Sequence, residues 1–131
     1  MRNNKGFTLI ELLVTILLLS VITVISYVSV IKVIEKSGEK DCENLRNSIK
    51  SAVSNYVSDN RYKNKSVISA GTMDASVLVN GNYLSSPIYN PFKKEEISPS
   101  EINISFELNN NYTVNKVTIT SSKVDFVNCK K

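Results

Sequence analysis

The sequence predicts an α+β fold: one long N-terminal α-helix, membrane-spanning in its first half and amphipathic in its second, packed on a small antiparallel β-sheet. Three observations predict it. An uninterrupted apolar run covers 7–31. A stripe of apolar residues at spacings of three and four follows it, at Cys42, Leu45, Ile49, Ala52, Val53 and Tyr56. The C-terminal third then alternates apolar and polar residues, beginning with Ile102, Ile104, Phe106 and Leu108.

The apolar run contains no Gly or Pro and one charge, Glu11. Its 25 residues extend roughly 37 Å as a helix, against a bilayer hydrocarbon core of about 30 Å. Nothing between Ile31 and Glu35 breaks the helical period. The face opposite the apolar stripe carries Glu39, Lys40, Glu43, Arg46, Asn47 and Lys50, the pattern of a helix with one side on a core. The spacing predicts one helix over 7–57, with Gly38 as its weak point and the place of any bend. Residues 60–71 read as a polar connector. Thr72 is the expected cap of a short helix over 73–79, with Asp74 in its first turn and Asn80-Gly81 as its stop. Pro87, Pro91 and Pro99 place 85–101 in an extended surface loop. Three strands are expected next, broken by turns at 109–111 and 121–122. The second, over 112–120, changes apolar phase from Tyr112/Val114 to Val117/Ile119, which predicts a bulge near Asn115-Lys116. The third carries Val124 and Phe126.

Composition excludes several functions. The chain has 131 residues, no histidine, and a net charge of +4. Histidine-based catalysis and histidine metal sites are therefore absent, and scattered Asp and Ser form no triad, so no enzyme and no cofactor are expected. Without residues 1–6 there are 14 basic residues against 12 acidic, which is not the balance of a nucleic-acid-binding protein. Small basic clusters occur at Arg61, Lys63 and Lys65 around Tyr62, at Lys93-Lys94 and at Lys130-Lys131. A solvated face is the favoured reading of each over a DNA contact. Glu95-Glu96 follows Lys93-Lys94 and reads as a charge run rather than a cation site. Cys42 and Cys129 form no metal motif. Both would lie outside the membrane, where a disulfide persists. The residues leave two readings open, a bond tying the C-terminus to the helix or two separate thiols, because Cys129 has the opposite strand parity from Val124 and Phe126.

The N-terminus is not an ordinary signal peptide. The apolar run exceeds a signal core of about 7–15 residues, and no small-residue cleavage site follows it. An uncleaved signal anchor on a monomeric extracytoplasmic binding protein explains the length but not Glu11. A carboxylate at the centre of a membrane helix costs on the order of 2.5–3.5 kcal/mol on insertion scales and is by default a functional residue. Lys and Arg flank both ends of the run (Arg2 and Lys5; Lys32, Lys36 and Lys40) and leave its orientation open. The very short N-terminal flank favours a cytoplasmic start with the rest outside.

The stretch KGFTLIELLVTILLLSVI, residues 5–22, resembles the N-terminus of the type IV pilin-like superfamily, which includes type IV pilins and the pseudopilins of secretion and competence. The segment LVNGNYLSSPIYNP resembles a further pattern of that family: a short helix, a glycine turn, an aromatic-Leu pair and a proline stretch. The resemblance implies a lollipop-shaped pilin-like fold and a leader, 1–6, cut after Gly6 by an intramembrane prepilin peptidase. It implies N-methylation of Phe7 and a register role for Glu11, fifth in the mature chain, pairing with the Phe7 amine of a neighbouring subunit. It further implies a membrane and filament-core helix over 7–34 and an extracytoplasmic domain over 35–131. Its partners would be other pilin subunits, the peptidase, the inner-membrane assembly platform and the membrane. The protein would lie in the cytoplasmic membrane before assembly and in an extracellular or envelope-spanning filament after it.

Overall fold

The computed structural model describes residues 6–64 and 71–130. Arg2, Lys5, Lys65 and Lys131 lie outside the described residues, as do the side chains of Tyr62 and Lys63. The chain divides into two compact units, Met1–Lys36 and Ser37–Lys131. Helix α1, Leu9–Asn64, contributes to both.

In the first unit α1 presents apolar side chains on all sides, and every large one from Phe7 to Ile34 is exposed. This is the one helix among the described residues with the length and apolar composition to cross a membrane. The Ser and Thr hydroxyls of 12–31 are satisfied within the helix. Thr15 donates to the Leu12 carbonyl at 2.7 Å, Ser20 to Leu17 at 2.7 Å, Thr23 to Ser20 at 2.8 Å, Ser26 to Ile22 at 2.9 Å and Ser29 to Ile25 at 3.2 Å. Such back-bonding lets Ser and Thr sit where no water can answer them.

In the second unit the predicted stripe of α1 faces the core. Cys42, Ile49, Ala52 and Val53 are buried, joined by Val57, with Leu45 and Tyr56 partly covered. Gly38 is also buried, but as a site of close approach: a Cβ there would stand 2.7 Å from Cδ1 of Phe92. The helix runs past the predicted end at residue 57. Residues 60–64 hold no Gly or Pro, and Arg61 gains partners by staying helical. Its Nη1 donates to the Asn111 carbonyl at 3.1 Å, and its guanidinium lies 5.1 Å from the Tyr112 ring centroid. The expected connector therefore begins as helix.

Residues 72–74 are strand rather than the start of a helix. Strand β1, Gly71–Asp74, pairs antiparallel with β4, Ile102–Leu108. Helix α2 is Ala75–Asn80, and its cap is Asp74, whose carboxylate accepts from the Ser76 N–H at 3.0 Å. A carboxylate caps better than the expected Thr72 and leaves Thr72 free to join the sheet. Asn80-Gly81 does end the helix, but Asn82 takes the left-handed conformation (φ 61°). The Tyr83 N–H then reaches the Leu78 carbonyl at 2.8 Å and the Asn82 N–H that of Val79 at 3.1 Å, a Schellman closure with Asn in the position Gly usually holds.

The expected loop over 85–101 is more ordered than its prolines suggested. Strands β2, Ile88–Tyr89, and β3, Glu96–Ile97, pair antiparallel, and a 3₁₀ turn follows at Pro99–Glu101. Ile88 and Ile97 point into the core. Buried Asn90 organises the turn between them: its Oδ1 accepts from the N–H groups of Phe92 (2.9 Å) and Lys93 (3.1 Å), and its Nδ2 donates to the Lys123 carbonyl at 3.0 Å. A buried amide with partners on both its oxygen and its nitrogen is what makes such a turn tolerable.

β4 pairs on its other side with β5, Val114–Ser121, giving the order β1-β4-β5. The register shifts so that Lys116 faces Glu107 and Val114 faces Leu108. Asn115 is the extra residue, which is the predicted bulge. Tyr112 belongs to the preceding turn, where Asn109 Oδ1 accepts from the N–H groups of Asn111 (3.1 Å) and Thr113 (2.9 Å). The sheet's third strand is β1. The expected strand at Val124 and Phe126 is instead a turn, although both side chains are buried. The inner faces of β4 and β5, α2, the hairpin and this tail close one core around Ile102, Ile104, Phe106 and Ile119.

Candidate functional site

The sequence points to Gly6, Phe7 and Glu11 at one end of α1, and to Cys42 and Cys129 in the second unit. The first group forms a local structure that periodicity alone did not reveal. The helix starts at Leu9, so Gly6, Phe7 and Thr8 precede it. Phe7 is 86% exposed, and a Cβ on Gly6 would meet nothing within 4 Å. The Gly6–Phe7 peptide bond therefore stands outside the helix.

Glu11 lies in the first turn, not deep in the apolar run. The Thr8 N–H donates to Glu11 Oε2 at 2.9 Å and the Thr8 hydroxyl to the same oxygen at 3.1 Å. The Glu11 N–H returns a bond to Thr8 Oγ1 at 3.3 Å. This is a capping box, with Thr8 as N-cap and Glu11 three residues on. The helix dipole also favours a carboxylate there. The signal was present as Thr8-Leu-Ile-Glu11 ahead of an apolar run. The uncharged remainder, 12–31, has 20 residues, or about 30 Å of helix, which matches a bilayer core. Both bonds from Thr8 use Oε2, which leaves Oε1 with acceptor capacity for a further donor.

In the second unit Cys42 and Cys129 form a disulfide, with their Cα atoms 5.6 Å apart and a sequence separation of 87. The parity of Cys129 is resolved by the C-terminal turn. Asp125 Oδ1 accepts from the N–H groups of Val127 (3.0 Å) and Asn128 (3.1 Å), Oδ2 accepts from Asn128 Nδ2 (2.9 Å), and the Cys129 N–H reaches the Asp125 carbonyl at 2.9 Å. The Asn128 side chain, then the Asn128 backbone, hold the Asp125 carboxyl below its ordinary range. Cys129 itself adopts φ 49°, and its sulfur turns to the helix. Arg46 joins this closure instead of the solvent face. It is half-buried, and its Nη1 donates to the carbonyls of Phe126 and Val127, each at 3.2 Å. Among the described residues no group of three Cys, Asp or Glu side chains converges as a cation site.

Residues 1–27 match the family model described as the prokaryotic N-terminal methylation motif. No curated protein and no solved structure matches the chain. The matched segment contains the Gly6–Phe7 bond, the Thr8–Glu11 box and most of the apolar span. The chain thus carries, at its N-terminus, the methylation motif characteristic of type IV pilin and pseudopilin prepilin leaders.

Proposed function

We propose that this protein is a structural subunit of a type IV pilus or a related pseudopilus. It is made as a membrane-inserted prepilin with leader 1–6. Prepilin peptidase cuts between Gly6 and Phe7, Phe7 is N-methylated, and the helix over 7–34 then polymerises while the domain over 35–131 remains outside the cytoplasm. The observation that carries this reading is the placement of Glu11, fifth from Phe7 and in the first turn of an otherwise apolar helix. Cleavage creates a cationic amine at Phe7, which as a free amine has a pKa of about 8. Glu11 Oε1 is open to that amine from a neighbouring copy while Oε2 keeps its bonds to Thr8. In a low-dielectric filament core an unpaired carboxylate is strongly penalised and a paired one tolerated, so the pair acts on register more than on net stability. The role is structural, and the filament's use in adhesion, motility, DNA uptake or secretion follows from its partners.

N-terminal mass analysis of the protein recovered from membranes and sheared filaments tests the reading. A methylated Phe7 start is expected. An intact Met1 leader on all of the protein would instead indicate a signal-anchored monomer.

A further inference from the structure

A groove of about 420 Å³ lies between the turn of the β2–β3 hairpin and the C-terminal segment. Its apolar lining includes Phe92, Val124 and Phe126, and Lys93, Lys123 and Lys130 also line it. Lys123 stands 3.9 Å from Glu101. Lys93 and Lys130 have no ion-pair partner among the described residues. Asp125 lines the groove as well, but both its carboxylate oxygens are taken up by its own turn. The groove therefore offers apolar surface with excess positive charge beside it.

The same chain exposes a matching surface. On the β2–β3 hairpin, Ile88 and Ile97 face the core, while Tyr89 and its cross-strand partner Glu96 face outward. Tyr89 is 52% exposed, and Glu95 and Glu96 are exposed without an ion-pair partner among the described residues. An exposed tyrosine on a hairpin that also carries two unpaired carboxylates is the complement of an apolar groove beside lysines. Tyrosines are enriched as anchors in protein interfaces, and opposed charges set orientation and exclude wrong partners.

We propose that Tyr89, Glu95 and Glu96 of one copy dock in the Lys93/Lys123/Lys130 groove of a second copy. This rests on the polymerisation reading above and adds a contact between outer domains. Groove and hairpin face are different patches, and paired head to tail, with each copy offering one and occupying another, they make a heterologous contact. Such contacts propagate into open helical assemblies where the rotation does not close. The occupant is therefore argued from charge complementarity and from the open geometry a filament requires.

The test is a charge exchange in the full chain, expressed with its assembly machinery and read as sheared filament yield relative to membrane-held protein. Lys93→Glu/Lys130→Glu and Glu95→Lys/Glu96→Lys should each lower the yield roughly tenfold or more. The four changes together should recover it to within about twofold of the unmodified chain. Membrane level and the intact Cys42–Cys129 bond serve as the folding control. Where a reversal fails that control, the neutral pairs Lys93→Gln/Lys130→Gln and Glu95→Gln/Glu96→Gln replace it, and each should lower the yield at least threefold. Full yield from both folded double variants would overturn the proposal and leave the groove to some other acidic partner. An additive loss in the four-fold variant, without recovery, would also overturn it. The unmodified chain distinguishes the two levels: no filaments and an intact Met1 leader sink the polymerisation reading itself, whereas filaments with insensitive hairpin and groove variants sink only this contact.

Discussion

Removing the Cys42–Cys129 bond should cost the second unit a large part of its stability. The bridge closes a loop with a sequence separation of 87, for which the chain-entropy relation gives about 4.6 kcal/mol at 25 °C. Native bridges in small domains are typically worth about 2–5 kcal/mol, against a total stability of about 5–15 kcal/mol. Cys42 and Cys129 are both buried, so Cys42→Ala/Cys129→Ala also loses some packing. A loss of about 4 kcal/mol, at a urea slope of about 1.5 kcal/mol/M, moves the midpoint down by roughly 2.5 M. The assay is urea unfolding of the full chain in detergent, followed by tyrosine fluorescence, with and without the two cysteines. A shift below about 0.5 M would refute the reasoning. It would mean that Arg46 and the Asp125 turn hold the C-terminal segment to α1 unaided.

Other perturbations separate the remaining features. Thr8→Val should weaken the start of α1 by about 0.5–2 kcal/mol, the usual worth of an N-cap, and solid-state NMR in bilayers should show fraying at residues 9–12 with insertion unchanged. Asp125 has a folded-state pKa below its unfolded value, so its contribution is present above the unfolded value of about 3.9 and is lost as pH falls through the folded one. Melting midpoints of the unmodified chain should therefore drop below about pH 4 more steeply than those of Asp125→Ala; parallel curves would contradict this. Gly38→Ala gains about 1 kcal/mol of helix propensity but sets a Cβ 2.7 Å from Phe92 Cδ1, an overpacking that typically costs about 1–3 kcal/mol. Equilibrium unfolding should show Gly38→Ala neutral to about 2 kcal/mol less stable, and a clear gain in stability would refute the close-approach reading.

The sequence was most legible where one period ran long enough to be counted. The stripe from Cys42 to Tyr56 recurs over four turns, and all of it meets the core. The Ile102–Leu108 alternation and the phase change at Asn115 placed β4, β5 and the bulge between them. What was misread depends on tertiary partners. Gly71–Asp74 is four residues long and becomes a strand only because β4 offers an open edge. The tail at Val124 and Phe126 alternates like a strand, yet Asp125 folds it into a turn that brings Cys129 to the helix. Arg46 belongs to the polar face by spacing and turns inward because the tail's carbonyls lie within its reach. Helix α1 outlasts its apolar stripe because Arg61 finds Asn111 and Tyr112. At the N-terminus the motif was legible as Gly6, Phe7 and Glu11. The capping role of Glu11 is masked in the sequence by its unusual place in an apolar run, although its partner Thr8 stands three residues away.

The five Ser and Thr hydroxyls within 12–31 each answer to a carbonyl of their own helix. A lipid chain and an apolar protein neighbour are then nearly equivalent surroundings for that stretch. Exchanging one for the other breaks none of these five hydrogen bonds. On the reading proposed above, what distinguishes the two media falls on the first turn, where the Glu11 carboxylate and the Phe7 amine of a neighbouring copy pair. The helix is thus free to slide laterally between solvents of the same polarity, and the choice of where it settles falls on two charges at its tip.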